Sequence, residues 1–149
     1  MPTYAVNKKA KFDYQILEKI EAGLMLLGHE VKSVRNKQIK LVGSYIGILN
    51  GECFLKQAHI SAYPYAVHKD SYDPERQRKL LLNKREIAYL EGKLHEKGLT
   101  IVPLAVYSKG SHIKIEIGIA KGKKTYDKRE VIKKRDIERD IRREMRGRI

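Results

Sequence analysis

Between Ser111 and Lys121 the chain alternates with a strict period of two: Ile113, Ile115, Ile117 and Ile119 are separated by Lys114, Glu116 and Gly118. On a helix those isoleucines would be scattered around the axis, whereas on a strand they share one face. The segment therefore reads as a half-buried strand of a sheet that is covered on one side, a habit of antiparallel sheets. Lys109-Gly110-Ser111 reads as a turn and Thr100–Tyr107 as the preceding strand, giving a hairpin. Pro103 places that strand at an edge or at a bulge, because proline has no N–H to give a neighbour.

A second hairpin is written in residues 44–56. Two β-rich runs flank Asn50-Gly51, the pair favoured where both turn residues take positive φ. Upstream, residues 1–13 read as a short basic arm with Asn7, Lys8, Lys9 and Lys11, and residues 14–21 as a strand. Residues 28–35 suit a short helix, with Val31 and Val34 on one side, Glu30 near its start and Arg35 near its end. Residues 60–75 carry Pro64, Pro74, Ser61, Ser71, Asp70 and Asp73 and read as a long loop. Within residues 76–97, Leu80, Ile87, Leu90 and Leu94 fall on one helical face, which predicts a helix stopping at Gly98. Antiparallel pairs dominate, so the expected fold is mainly β: a small antiparallel barrel or sandwich with two or three appended helices over its openings.

The 149 residues suffice for one domain with an apolar core, and 42% of them are apolar. The net charge is +14, which implies an anionic partner. Residues 121–149 hold 13 basic and 6 acidic side chains, a net +7, so half the excess sits in the last fifth of the chain. This divides the chain into a body, 1–120, and a basic tail, 121–149. The tail opens with Lys121-Gly122-Lys123-Lys124, which reads as a hinge, and carries a thin stripe of Ile137, Ile141 and Met145. Such a stripe cannot form a core alone, so the tail is expected to be disordered by itself and helical when bound. No apolar run reaches membrane-spanning length and no signal-peptide pattern is present. A single cysteine, Cys53, excludes an internal disulfide framework, and the cytoplasm is the simplest compartment.

Catalytic signatures are missing from the sequence. Cys53 has His59 six residues away, but nothing marks a positioned base, and it reads as a buried strand cysteine. The five histidines lack ligand spacing, and no phosphate loop or dinucleotide glycine fingerprint occurs, so no metal and no cofactor are expected. Glu18 and Glu21, and the tail's Asp136, Glu138 and Asp140, read as salt-bridged surface. A metal-dependent RNA nuclease using Glu18, Glu21 or Glu30 is the remote alternative. What remains is binding. Tyr45, Tyr63, Tyr65, Tyr72 and Tyr107 offer faces for stacking on bases or for packing, and Arg76–Arg85 brackets an apolar patch with five basic residues. Glu30 is the odd acid of a basic field. It serves a helix dipole, or it accepts from a base amino group.

Several stretches together resemble the SmpB (small protein B) family. They are Asn7-Lys8-Lys9-Ala10-Lys11; Glu21-Ala-Gly-Leu with Gly28-His-Glu-Val-Lys-Ser-Val-Arg35; Arg78-Lys-Leu-Leu-Leu-Asn-Lys-Arg-Glu-Ile87; Ile117-Gly-Ile-Ala-Lys-Gly-Lys-Lys124; and Asp127-Lys-Arg129. They run in the family's order over nearly the whole chain. The resemblance implies an oligonucleotide/oligosaccharide-binding-like (OB-like) β-barrel and a cofactor-free adaptor that is not an enzyme. Its barrel would hold the tRNA-like domain of tmRNA (SsrA RNA), promote alanylation by alanyl-tRNA synthetase, and reach stalled ribosomes with elongation factor Tu. Its tail would enter the empty mRNA channel of the small subunit. With charge taken into account, the expected RNA contacts are Asn7, Lys8, Lys9, Lys11, Glu30, Lys32, Arg35, Arg78, Lys79, Leu82, Asn83, Lys84, Lys121, Lys123 and Lys124. The expected ribosome-engaging residues are Gly122, Tyr126, Asp127, Lys128, Arg129, Lys133, Lys134, Arg135, Arg139, Arg142, Arg143 and Met145. The family often has His before Asp-Lys-Arg. Tyr126 stands there, a ring that stacks but does not become cationic near neutral pH. A general RNA-binding or ribosomal protein with a barrel and basic tail is the runner-up.

Overall fold

The computed structural model describes residues 2–67 and 69–122. In chain order the elements are β1 (Thr3–Val6), α1 (Lys8–Asp13), β2 (Tyr14–Leu24), α2 (Gly28–Arg35), β3 (Ile39–Lys40), β4 (Tyr45–Leu49), β5 (Glu52–Lys56), β6 (His59–Ile60), a 3₁₀ turn (Lys69–Ser71), β7 (Arg78–Leu81), α3 (Lys84–Leu94), β8 (Leu99–Lys109) and β9 (His112–Gly122). Seven strands form one antiparallel sheet in the order β1-β8-β9-β2-β7-β5-β4, and β3 pairs with β6 separately. The sheet is not closed, an arrangement consistent with an OB-like fold.

The alternating isoleucines of β9 do what their period requires: Ile113, Ile115, Ile117 and Ile119 all enter the main core. They meet Leu55, Ile60, Leu80, Leu90, Ile101 and Val106 there. Near its end β9 is covered on the other face as well, where Ala10 of α1, Val102, Leu104 and Ala120 make a smaller core with Tyr14 and Ile16. Both hairpins form as read. Asn50 and Gly51 take φ of 53° and 73°, as the tight turn between β4 and β5 demands. Cys53 is fully buried, and burial pushes its thiol up to about 11, so it packs as an apolar residue.

Three expectations change. The basic arm is folded: β1 pairs with β8, and Asn7 caps α1 by accepting from the Ala10 N–H at 3.1 Å. The expected long helix is a strand, β7, followed by α3, because Leu80 is drawn into the sheet opposite Cys53 while Leu90 faces the core from the helix. Lys121 and Gly122 still belong to β9, paired with Gln15 and Tyr14, so the body extends past residue 120. Pro103 sits as the sequence predicts, at an irregularity of β8 and on the stretch of that strand beyond the reach of β1, where its lack of an N–H costs no strand pairing to β1.

Gly118 has a packing reason. A Cβ there would lie 2.9 Å from Leu104 Cδ1 and 3.1 Å from Ile16 Cγ2. Gly118→Ala is expected to lower the unfolding free energy by about 1–3 kcal/mol through overpacking of the small core, read as a lower urea midpoint.

Candidate nucleic-acid interface

Glu30 is fully buried, and so is Arg78 of β7. Glu30 Oε2 accepts from Arg78 Nη2 at 2.6 Å, from Arg78 Nε at 2.9 Å, from the Tyr72 hydroxyl at 2.8 Å and from Arg76 Nε at 3.2 Å. Oε1 accepts from the Leu27 N–H at 2.8 Å, at the start of α2, and from Arg76 Nη2. Arg78 also donates to the Tyr72 hydroxyl at 2.7 Å and to the Ala58 and Pro74 carbonyls at 2.6 and 2.9 Å. A buried charge is tolerable only when paired and hydrogen-bonded in this way. Burial alone would raise the Glu30 carboxyl; the bonds from Arg76, the Leu27 N–H, Tyr72 and Arg78 outweigh it and hold the group at about 2. Burial, and donation to Glu30, push the Tyr72 hydroxyl up to about 12.

This geometry takes three expected contacts off the surface. Glu30 and Arg78 have no surface for RNA to touch; together they tie α2 to β7 and to the 61–77 segment between β6 and β7. Asn7 is also buried, its amide donating to the Pro103 carbonyl at 2.9 Å. Asn83 is exposed but works as the N-cap of α3, accepting from the Glu86 N–H at 2.8 Å while Glu86 accepts from the Asn83 N–H at 3.2 Å. Sequence periodicity missed the Glu30–Arg78 pair because its partners are 48 residues apart. The signal available was a lone arginine in phase with the buried Leu80 of β7.

The exposed bases fall into groups. Lys8, Lys9 and Lys11 lie on α1, beside a cleft of about 330 Å³ lined by Lys9, Tyr14, Tyr45 and Thr100. Lys121 belongs with them, because the end of β9 pairs with the start of β2, which follows α1 directly. Lys79, Leu82 and Lys84 border a second cleft of about 460 Å³ at the β7–α3 junction, where Leu82 also packs on the core. Lys32 and Arg35 lie on α2, and Arg35 Nη2 reaches the Ser111 carbonyl at 3.5 Å. The carboxylates of the nuclease alternative are committed elsewhere: Glu18 accepts from the Tyr89 hydroxyl at 2.6 Å and Glu21 from that of Tyr107. Among the described residues no group of His, Cys, Asp and Glu could hold a metal ion, and no helix is long and apolar enough to cross a membrane. Lys123, Lys124, Tyr126, Asp127, Lys128, Arg129, Lys133, Lys134, Arg135, Arg139, Arg142, Arg143 and Met145, with the expected tail helix, lie outside the described residues.

Two outcomes test the buried pair. Glu30→Gln leaves Arg78 charged and without a counter-ion, and is expected to cost about 3–5 kcal/mol of unfolding free energy in urea titration. The acid limb follows from linkage. The folded carboxyl sits at about 2 against an ordinary 4.5, so its contribution is full above 4.5 and is lost as pH falls toward 2. Stability measured across that window should fall steeply for the native chain and be flatter for Glu30→Gln.

With this geometry established, the chain can be set beside known proteins. A family model described as SmpB protein matches residues 4–147. An SsrA-binding protein of Carboxydothermus hydrogenoformans is 53% identical over 144 residues, covering 97% of this chain and 96% of that protein. An SsrA-binding protein of Chloroflexus aggregans is 51% identical over 145 residues, covering 97% and 92%. A chain from a solved structure described as "tmRNA-SmpB: a journey to the center of the bacterial ribosome" superposes with a TM-score of 0.69 at 41% identity, covering 84% of this chain and 87% of that one. A match that runs almost end to end, on the same mainly β framework, has one reading: this chain belongs to the SmpB family.

Proposed function

We propose that the chain is a tmRNA-binding adaptor of trans-translation: its folded body holds the tRNA-like domain of tmRNA, and its basic tail engages the mRNA channel of a stalled ribosome's small subunit. The observation that carries this is about 50% identity to SsrA-binding proteins across 97% of the chain. The arrangement of charge supports it. The body displays bases on α1, on α2 and at the β7–α3 junction, and the tail beyond β9 holds a net +7 of its own. On the body, Lys79 and Lys84 reach phosphate, Leu82 supplies an apolar contact, and the Asn83 amide nitrogen donates to RNA while its oxygen caps α3. Elongation factor Tu and alanyl-tRNA synthetase are met through the RNA, in the cytoplasm. In the tail, Tyr126 stacks on a ribosomal base without the cationic option of an imidazole.

Truncation after Gly122, where β9 ends, separates the two halves. It is expected to leave affinity for the tRNA-like domain within about threefold, since phosphate contacts on the body remain, and to abolish peptide tagging on ribosomes stalled without a stop codon. Equal loss of both would show that the tail, not the body, holds the RNA. A general RNA-binding protein would bind bulk tRNA as well as it binds tmRNA at physiological salt; the adaptor prefers tmRNA. Lys84→Gln should weaken binding without regard to base sequence and lower the salt slope by about one.

A further inference from the structure

The segment between β6 and the 3₁₀ turn places an aromatic ring in water and then holds it there. Tyr63, Pro64, Tyr65 and Ala66 make a turn closed by the Ala66 N–H donating to the Tyr63 carbonyl at 3.0 Å. Proline at its second position fixes φ in advance. The two rings meet edge to face with centroids 5.6 Å apart at 69°, and Lys32 Nζ of α2 lies 5.3 Å from the centre of the Tyr63 ring. Tyr63 is half-buried, while Tyr65 is 85% exposed. Tyr72, in the same loop, shows the contrasting case: it turns inward and spends its hydroxyl on Glu30.

A ring that covers nothing, on a turn braced by proline, a second ring and a cation, has the parts that sequence-tolerant RNA binding uses. Those parts are a π-face for a base and a positive charge for the neighbouring phosphate. Lys32 and Arg35, both exposed on α2, supply a field of the matching sign. We propose that this turn is a stacking platform for one unstacked nucleobase of the RNA the chain carries: Tyr65 supplies the face, Tyr63 backs it, and Lys32 meets the adjacent phosphate. The platform rests on the adaptor reading for the identity of that RNA. Glu30 and Arg78 act on it at a distance, by holding the loop from which it projects.

The test is equilibrium binding of the full chain to a transcript of the tRNA-like domain of tmRNA and, separately, to bulk tRNA, at physiological salt. The variants are Tyr65→Ala, Tyr65→Leu and Tyr65→Phe. Because Tyr65 is exposed, their melting temperatures should match the native chain. Tyr65→Ala and Tyr65→Leu are expected to lose about tenfold in affinity, the loss of one stacked base, while Tyr65→Phe stays within about twofold. If Tyr65→Ala binds like the native chain, or Tyr65→Leu retains full affinity, the platform is overturned. Lost tagging with unchanged RNA affinity would also overturn it, assigning the ring to a protein contact. A native chain that does not prefer the tmRNA transcript to bulk tRNA defeats the adaptor reading instead, and the platform is then judged by the Tyr65→Ala to Tyr65→Phe ratio on bulk tRNA.

Discussion

The pairing of Glu30 with Arg78 joins parts of the molecule that share no strand ladder with one another. It connects the first turn of α2, the inner face of β7, the Ala58 carbonyl ahead of β6 and the Pro74 carbonyl of the long loop. It also fixes register. Arg78 points inward and Lys79 lies on the other side of the strand, bonded to Glu52 at 3.4 Å. A slip of one residue would bury Lys79 and expose Arg78, leaving Glu30 with the wrong partner. An apolar residue at position 78 would not discriminate so sharply, because Leu80, Leu81 and Leu82 are all acceptable in a core. The charge distinguishes one register of a leucine-rich segment from its neighbours.

The same geometry separates motif residues that face outward from motif residues that hold the fold. The family resemblance points to Glu30 and Asn83 as contacts; Glu30 is sealed inside, while Asn83 stays exposed and caps the start of α3 through its side-chain oxygen. Each has a structural task within one or two residues of an exposed base: Lys32 follows Glu30, and Lys84 follows Asn83. Removing the acid or the amide would disturb those neighbours. Motif residues in a binding protein thus divide into those that meet the ligand and those that aim the ones that do.

Local pattern made much of the fold legible. The isoleucine alternation of β9 and the Asn-Gly turn are short-range signals, and the tertiary structure agrees with both. The leucines of 80–94 misled because a helical spacing and a strand-plus-helix can present the same residues to a core; the sheet's need for a partner beside β5 decided it. The arm at the N-terminus looked free because its polar residues gave no hint that β8 offers an unpaired edge for it. For the proposed interface, charge made Lys79, Lys84 and the α1 lysines candidates. The roles of Arg78 and Glu30 depend on a contact across 48 residues, which no local window contains.

Strand β9 has a mechanical consequence. At its first end the turn carrying Ser111 touches Arg35 of α2, and at its last, Gly122 pairs with Tyr14 just after α1. Its 11 residues span about 33 Å at the usual strand rise. The strand is hydrogen-bonded on both sides, by β8 and β2, and its isoleucines are locked in the core, so it behaves as a stiff rod rather than a tether. The strand therefore fixes where Gly122 lies relative to Arg35 of α2. The distance between α2 and Gly122 is thus stored in the sheet, and a lengthened or shortened β9 would move Gly122 relative to α2.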